Sequence, residues 1–342
     1  RHSQRSSRST PREARAALMP HLRDALRYPY KRVLLQRTRL AYVHLQNLLT
    51  DAKRDRSARV YGYVAVWLPE ELITLYLEEG EVVNATTTVD GVAFEPIAIS
   101  DAVHRVPNSA EYGSVCFHEA TDELMDQMFA TQTKKPRDWP RELDLTNVDA
   151  LLKYLYATMH DGSVEVQADG AVHYIVVASG KPVRGYFSDG QPGDPVAHLK
   201  SVVDPSAHAE APTVRLWPRA EALPAQATPA LIQAYRDLVL SLAEQMDALG
   251  ITDAAKVVEG ARRKMTKPYP LLERFSPTVQ TVRDPVADPS LLTRALGAWV
   301  GEALVSVVPA GHDPESVLRE VTSARRHLFQ AAGLFDALPW KM

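Results

Sequence analysis

A single cysteine in 342 residues, Cys116, leaves no partner for an internal disulfide and too few thiolates for a cysteine-based zinc cluster. Long apolar runs are equally scarce. None approaches the roughly 20 residues that a membrane-crossing helix needs, so no membrane span is expected. The Arg- and Ser-rich first residues lack the apolar stretch of a secretory signal, and a cytoplasmic location is the expectation. Neither a Walker loop nor GxGxxG occurs, and no GxSxG elbow. His118-Glu119 opens like HExxH, but Asp122 stands where the second zinc ligand belongs. His104, His160, His173, His198, His208 and His312 show no ligand spacing. Expected catalytic residues, cofactors and metals are therefore none, and the chain reads as a non-enzyme.

Several chemical candidates have simpler readings. Cys116 sits in the alternating run Val115-Cys116-Phe117, where a small buried hydrophobe is the ordinary role. Glu70-Glu71 and Glu78-Glu79 flank a hairpin as a solvated edge. Asp90-Gly91 and Asp189-Gly190 follow strands, so a turn accounts for each aspartate. Arg262-Arg263-Lys264 reads as a basic helix end.

What the chain does contain is an uneven charge. In residues 1–39, ten Arg and Lys31 stand against Glu13 and Asp24, a formal +9 that leaves −12 on the remainder. Residues 1–12 hold no apolar side chain, and the region 1–39 reads as a basic arm running into a helix from Pro11 to Leu26, ended by Pro29. Arg5, Arg8 and Arg12 are candidate contacts to an acidic partner or to nucleic acid. The acidity of the remainder works against nucleic acid.

Beyond the arm, a pattern recurs about 100 residues on. The first copy, 40–132, runs helix (Leu48-Leu49), strand (59–66), strand (73–77), a turn at Gly80, Val82–Ala85, Asp90-Gly91, a helix near 95–105 and a closing strand at 113–117. The second, 141–220, runs helix (148–156), strand (162–166), strand (171–177), a turn at Gly180, strand (183–187), Asp189-Gly190, helix (195–203) and strand (212–216). Val115 and Val214 lie 35 and 34 residues beyond their turn glycines. The order implies duplication and two antiparallel-sheet modules. A Pro-bearing stretch at 133–140 reads as the linker between them.

Residues 228–342 read as helical. Thr228-Pro229, Asp288-Pro289 and Asp313-Pro314 each place an N-cap before a proline at the first helical position, and 253–265 adds a further helix. The fold class expected is α+β: two tandem antiparallel-sheet modules with flanking helices, then an all-α bundle. Tyr61, Tyr63, Trp67 and Tyr76 on the first sheet are candidates for a partner-binding face, although aromatics are also ordinary strand residues.

Leu48-Leu49, Gly80-Glu81-Val82-Val83-Asn84-Ala85 and Gly113-Ser114-Val115-Cys116-Phe117 together resemble the PATAN-type domain of bacterial regulatory proteins. The second copy departs from it: Pro182 interrupts the hairpin line, and Pro212–Leu216 lacks the glycine and the phenylalanine. The resemblance implies an adaptor without catalytic residues, working with two-component receivers or with motility and assembly machinery. The expected function is a non-enzymatic signalling adaptor or scaffold that binds protein partners, with self-association as a further expectation. The alternatives are an accessory subunit of a larger assembly that uses the arginine-rich arm, and a nucleic-acid-binding protein.

Overall fold

The computed structural model describes residues 22–54, 60–108, 110–189, 193–275, 277 and 284–340. The described residues fall into two compact units, one running through Leu223 and the other from Pro224 onward, with the short stretch Ala98–Asp101 grouped with the second. The fold is mixed α+β, as the sequence implied.

The first unit holds two antiparallel sheets. Strands β1 (Arg32–Arg39), β2 (Gly62–Trp67), β3 (Leu72–Glu78), β4 (Glu81–Thr88), β5 (Glu95–Pro96) and β6 (Ser114–Glu119) form one in the order β1-β6-β2-β3-β4-β5. Strands β7 (Gly162–Ala168), β8 (Ala171–Ala178), β9 (Lys181–Tyr186) and β10 (Thr213–Pro218) form the other in the order β10-β7-β8-β9. The two sheets share a core order, closing strand beside first strand beside second beside third.

The likeness of the two sheets extends to the register of single residues. Leu77 pairs with Val82 and Tyr76 with Asn84; 100 residues on, Val177 pairs with Pro182 and Val176 with Arg184. Both hairpins thus place a bulge at the same distance from their turn. Glu79 and Gly80 have φ of 49° and 79°, and Ser179 and Gly180 have 49° and 75°, a pair of left-handed residues that matches strand twist in a two-residue turn. Gly62 and Gly162 open the first strand of each copy. A Cβ on either would lie 2.0 Å from a carbonyl oxygen of the closing strand, that of His118 or of Trp217.

The layers follow from strand alternation. One face of the first sheet, with Val64, Val66, Ile73, Leu75, Val115 and Phe117, packs on helix α1 (Leu45–Arg54) and on Ala102 and Val106 of the α2 (Ile99–Arg105) region. The matching face of the second sheet, with Val164, Val166, Ile175, Val177 and Leu216, packs on α4 (Val148–Ala157) and α5 (Pro195–Val203). The remaining two faces meet across helix α3 (Asp122–Thr133), whose Leu124, Met125, Met128 and Phe129 share a core with Tyr63, Tyr76, Val172 and Tyr174. The two modules are therefore one packed body.

Three features depart from the sequence reading. Helix α3 fills the end of what read as the first module; it is capped by Thr121, whose hydroxyl accepts from Leu124 N, and buries side chains all round, including Gln127 and Gln132, which blurs its period. Residues 32–39 are not part of an arm: β1 pairs with β6, anchored where Lys31 and Arg32 meet Glu119 at 2.6 and 2.8 Å. Basic residues on a sheet edge discourage further pairing, which is why the segment looked like a solvated tail. Residues 22–25 are helical, and Arg27 then bridges to Ala171 of the second sheet; the expected start of that helix lies outside the described residues. Within the 133–140 segment, Arg137 N donates to Leu216 O and Trp139 Nε1 to Val214 O, so this stretch lies along β10.

The second unit is helical: α6 (Pro229–Ala248), α7 (Ala254–Met265), α8 (Pro289–Val305), α9 (Pro314–Thr322) and α10 (Arg326–Ala331) surround a core built on Tyr235, Leu242, Leu296, Trp299 and Leu304. All three expected cap-proline pairs are in place, with Thr228, Asp288 and Asp313 accepting from Leu231 N, Leu291 N and Ser316 N. The last expected helix is two: Thr322 Oγ1 turns back on Leu318 O, and a 3-10 turn at Ser323–Arg325 separates α9 from α10. One helical stretch, Pro289–Ala310, is long and apolar enough by composition to cross a membrane, contrary to the expectation that no run is. Its Leu292, Leu296, Trp299, Val300 and Leu304 lie in the core of this unit.

Candidate functional site

The aromatic residues expected to face a partner turn inward. Tyr63 is 1% exposed, Trp67 5% and Tyr76 0%. The face they occupy is real, but α3, the crossing segment around Tyr28 and the second sheet cover it. Tyr63 Oη lies 2.8 Å from His118 Nδ1 and within 3.1 Å of the Tyr28 and Pro29 carbonyls. A hydroxyl has one proton to give, so it serves one of these three neighbours at a time. Burial pushes the His118 pKa down to about 4, which keeps that imidazole neutral. Trp67 Nε1 donates to Arg23 O, and the Arg37 guanidinium sits 3.9 Å above its ring. Tyr76 Oη donates to Gln132 Oε1 at 2.7 Å. Only Tyr61 stays partly open, bonded to Glu79 Oε1 at 3.3 Å. Arg5, Arg8 and Arg12 lie outside the described residues.

The other reactive side chains have structural partners. Burial raises the Cys116 thiol to about 11. His160 Nε2 meets Trp217 O at 3.0 Å, His208 Nδ1 meets Asp169 Oδ2 at 3.1 Å, and His312 Nε2 meets Leu249 O at 3.1 Å. His198 stacks on Phe187 at 3.7 Å, beside His173, whose pKa burial lowers to about 4. Asp90 Oδ1 accepts from Val92 N and Ala93 N, the turn role expected of it. Glu71 Oε2 takes Arg105 at 2.8 Å and the Thr87 hydroxyl at 2.6 Å. In the basic cluster, Arg262 and Arg263 share Glu259, and Lys264 reaches Glu302 at 2.7 Å. Among the described residues no group of three His, Cys, Asp or Glu is placed to hold a metal ion.

Between the sheets lies a polar seam that sequence reasoning missed. Glu165, 6% exposed, accepts from Arg215 Nη1 at 2.6 Å, and the same Nη1 reaches Gln167 Oε1 at 3.2 Å. Burial raises the Glu165 pKa against the pull of Arg215. Thr131 and Tyr174 share a hydroxyl contact of 3.0 Å across the seam. The amide nitrogens of Gln132 and Gln167 have no protein partner, and a cavity of about 40 Å³ beside them has room for water.

Three cavities among the described residues have room for a ligand, and one of about 640 Å³ lies in the helical unit, lined by Val239, Leu240, Val258, Glu259, Arg262 and Trp299. A groove of about 550 Å³ runs along the first sheet's β2–β3 end, walled by Leu68, Pro69, Pro107, Ala110 and Tyr112 together with the Arg105–Glu71 ion pair. Tyr112 is 71% exposed, and Glu70 and Glu111 stand exposed on its rim. Another cavity, about 430 Å³, lies where the α3-facing side of the second sheet, at Val176, meets α3, with Glu123, Asp126, Gln127 and Asp161 in its wall. The sequence signal for this last cavity was Thr121-Asp122-Glu123, a cap with an acidic first turn, which announces α3. Comparison with protein-family models, with curated proteins and with solved structures returned no match.

Proposed function

We propose that the chain is a non-enzymatic adaptor or scaffold of the cytoplasm, and that the groove beside Tyr112 receives a segment of a partner protein. The observation that carries this reading is the groove's chemistry: an aliphatic and proline-lined floor, an exposed tyrosine and two exposed carboxylates at the rim. Exposed tyrosines are favoured anchors in protein interfaces, because a large rigid surface orders at small entropic cost. The carboxylates favour a segment that pairs apolar with basic side chains. The inward placement of Cys116, His118 and Glu165, each spent on packing or pairing, is in keeping with a binding role. The resemblance of the first module to PATAN-type regulatory domains points to a receiver domain or a motility or assembly component as partner.

The test is site-specific crosslinking in cells. A photo-crosslinking amino acid at position 112 is expected to trap a discrete protein, and the same probe at the exposed Tyr156 on α4 is expected not to. Equal, diffuse labelling from both positions would sink the reading.

A further inference from the structure

The groove beside Tyr112 lies close to the point where the described chain begins. Arg23 is 4% exposed, and its guanidinium donates to Pro69 O at 2.8 Å and to Val89 O at 3.2 Å. Pro69 is one wall of the groove. A second tether runs through Arg37, whose Nη1 donates to Asp24 O at 2.7 Å and whose Nε donates to Ser114 Oγ at 2.8 Å, two residues from Tyr112. Trp67 Nε1 adds a third by donating to Arg23 O. Residues 22–25 are thus clamped to the strand ends that carry the groove.

Residues 1–21 lie outside the described residues, but their sequence and the fixed position of Arg23 limit their reach. Met19 is four residues from Arg23, at most about 14 Å of extended chain. The segment Arg12-Glu13-Ala14-Arg15-Ala16-Ala17-Leu18-Met19, set off by Pro11 and Pro20, is therefore tethered beside the groove wall. A short tether of this kind holds a segment at an effective concentration on the order of millimolar.

Two apolar surfaces lie within that reach, and charge decides between them. Beside Arg23 stand Val89 and Val92, exposed at 70% and 51%, but the intervening Asp90 is taken up by its own turn. In the groove, Arg105 answers Glu71, whereas Glu70 and Glu111 stand exposed on the rim. Residues 1–21 carry five Arg against Glu13, a formal +4, and their apolar side chains fall in Ala14–Met19. Apolar with basic is the combination that an apolar groove with an acidic rim selects.

We infer that Arg12–Met19 of this same chain occupies the Tyr112 groove, with Leu18 and Met19 against Leu68, Pro107 and Ala110, and with Arg12 and Arg15 toward Glu70 and Glu111. The arm is then the regulator of the site. A partner segment of equal intrinsic affinity is excluded until it reaches millimolar concentration or the arm is drawn away. That regulatory consequence rests on the adaptor reading; the occupancy itself does not.

Purified full-length chain with p-azidophenylalanine at position 112 tests this with no partner present, in a mixture of ordinary and heavy-isotope chains. Photolysis is expected to join position 112 to a peptide within residues 12–19 of the same chain. The same probe at Val92 or at the exposed Tyr156 is expected not to reach that peptide. The Glu70→Lys, Glu111→Lys double variant is expected to lower the crosslink yield about fivefold, the size of two exposed ion pairs, with an unchanged melting temperature. Adding Arg12→Glu and Arg15→Glu is expected to restore it. No crosslink to the arm, a crosslink joining ordinary to heavy chains, a stronger one from position 92, or a yield untouched by charge reversal would overturn the inference. A partner trapped at position 112 in cells, with no arm crosslink in the purified chain, sinks this inference and leaves the adaptor reading standing. An arm crosslink with only diffuse labelling in cells does the reverse.

Discussion

The two sheet modules share a backbone and differ in the face they turn toward each other. At matched register positions on the first strand of each copy, Tyr63, Ala65 and Trp67 stand opposite in role to Ser163, Glu165 and Gln167; on the closing strands, Cys116 corresponds to Arg215. The faces packed on α1 and on α4 and α5 remain aliphatic in both. The turn and strand-opening glycines are under geometric constraint, because a Cβ at Gly80, Gly180, Gly62 or Gly162 collides with backbone. The inward faces need only complement each other across α3, so one became aromatic and the other polar. The first module also gained edge strands β1 and β5, whereas β9 of the second stays an open edge.

That comparison breaks most readily at the glycines. Gly62→Ala and Gly162→Ala are each expected to destabilise the first unit by about 3 kcal/mol, the upper range for overpacking in a rigid site. Urea unfolding of both variants tests the equivalence, and one neutral variant would end it. Next in size is the polar seam. Glu165→Ala leaves Arg215 unpaired and is expected to cost about 2 to 3 kcal/mol, below the fully buried range because Arg215 is 30% exposed. The Glu165→Ala, Arg215→Ala double variant is expected to recover much of that loss, since the module-one equivalents, Ala65 and Cys116, make no ion pair.

Acid sensitivity distinguishes the copies by residue rather than by size. His118 in the first and His173 in the second are both lowered from 6.5 to about 4 by burial. The unfolded chain therefore binds protons that the folded chain refuses. Stability from each is full above pH 6.5 and falls as pH drops toward 4, at up to roughly 1.4 kcal/mol per pH unit per histidine. Chemical denaturation across that window is expected to show the slope, reduced in His118→Gln and in His173→Gln; a slope unchanged in both would count against the burial argument. The smallest effect is at Tyr76→Phe. It removes the hydroxyl bond to Gln132 while the Thr86 hydroxyl still serves the same oxygen at 2.6 Å, so about 1 kcal/mol is expected in thermal unfolding.

Much of the second unit was legible, because Thr228-Pro229, Asp288-Pro289 and Asp313-Pro314 act through bonds within one turn of helix. The strands of both modules were legible for a similar reason. Helix α3 was not, since Gln127 and Gln132 are buried beside its apolar residues and blur the stripe that marks a helical period. Strand β1 was hidden by the charges that suit an exposed edge. For the candidate sites the sequence offered composition without geometry: Tyr112, Asp126 and Asp161 are unremarkable as letters, and the aromatic residues that drew notice are interior.

Sequence alone determined the repeat, its turns and its helix caps, because positive φ at Gly80 and Gly180 and the cap oxygens before each proline are local requirements that neighbouring residues satisfy or fail. Only the tertiary structure decided which sheet faces are covered and which grooves stay open. Tyr63 is buried by Tyr28, α3 and a second sheet that begins about 100 residues later, and no local pattern encodes a contact across that distance.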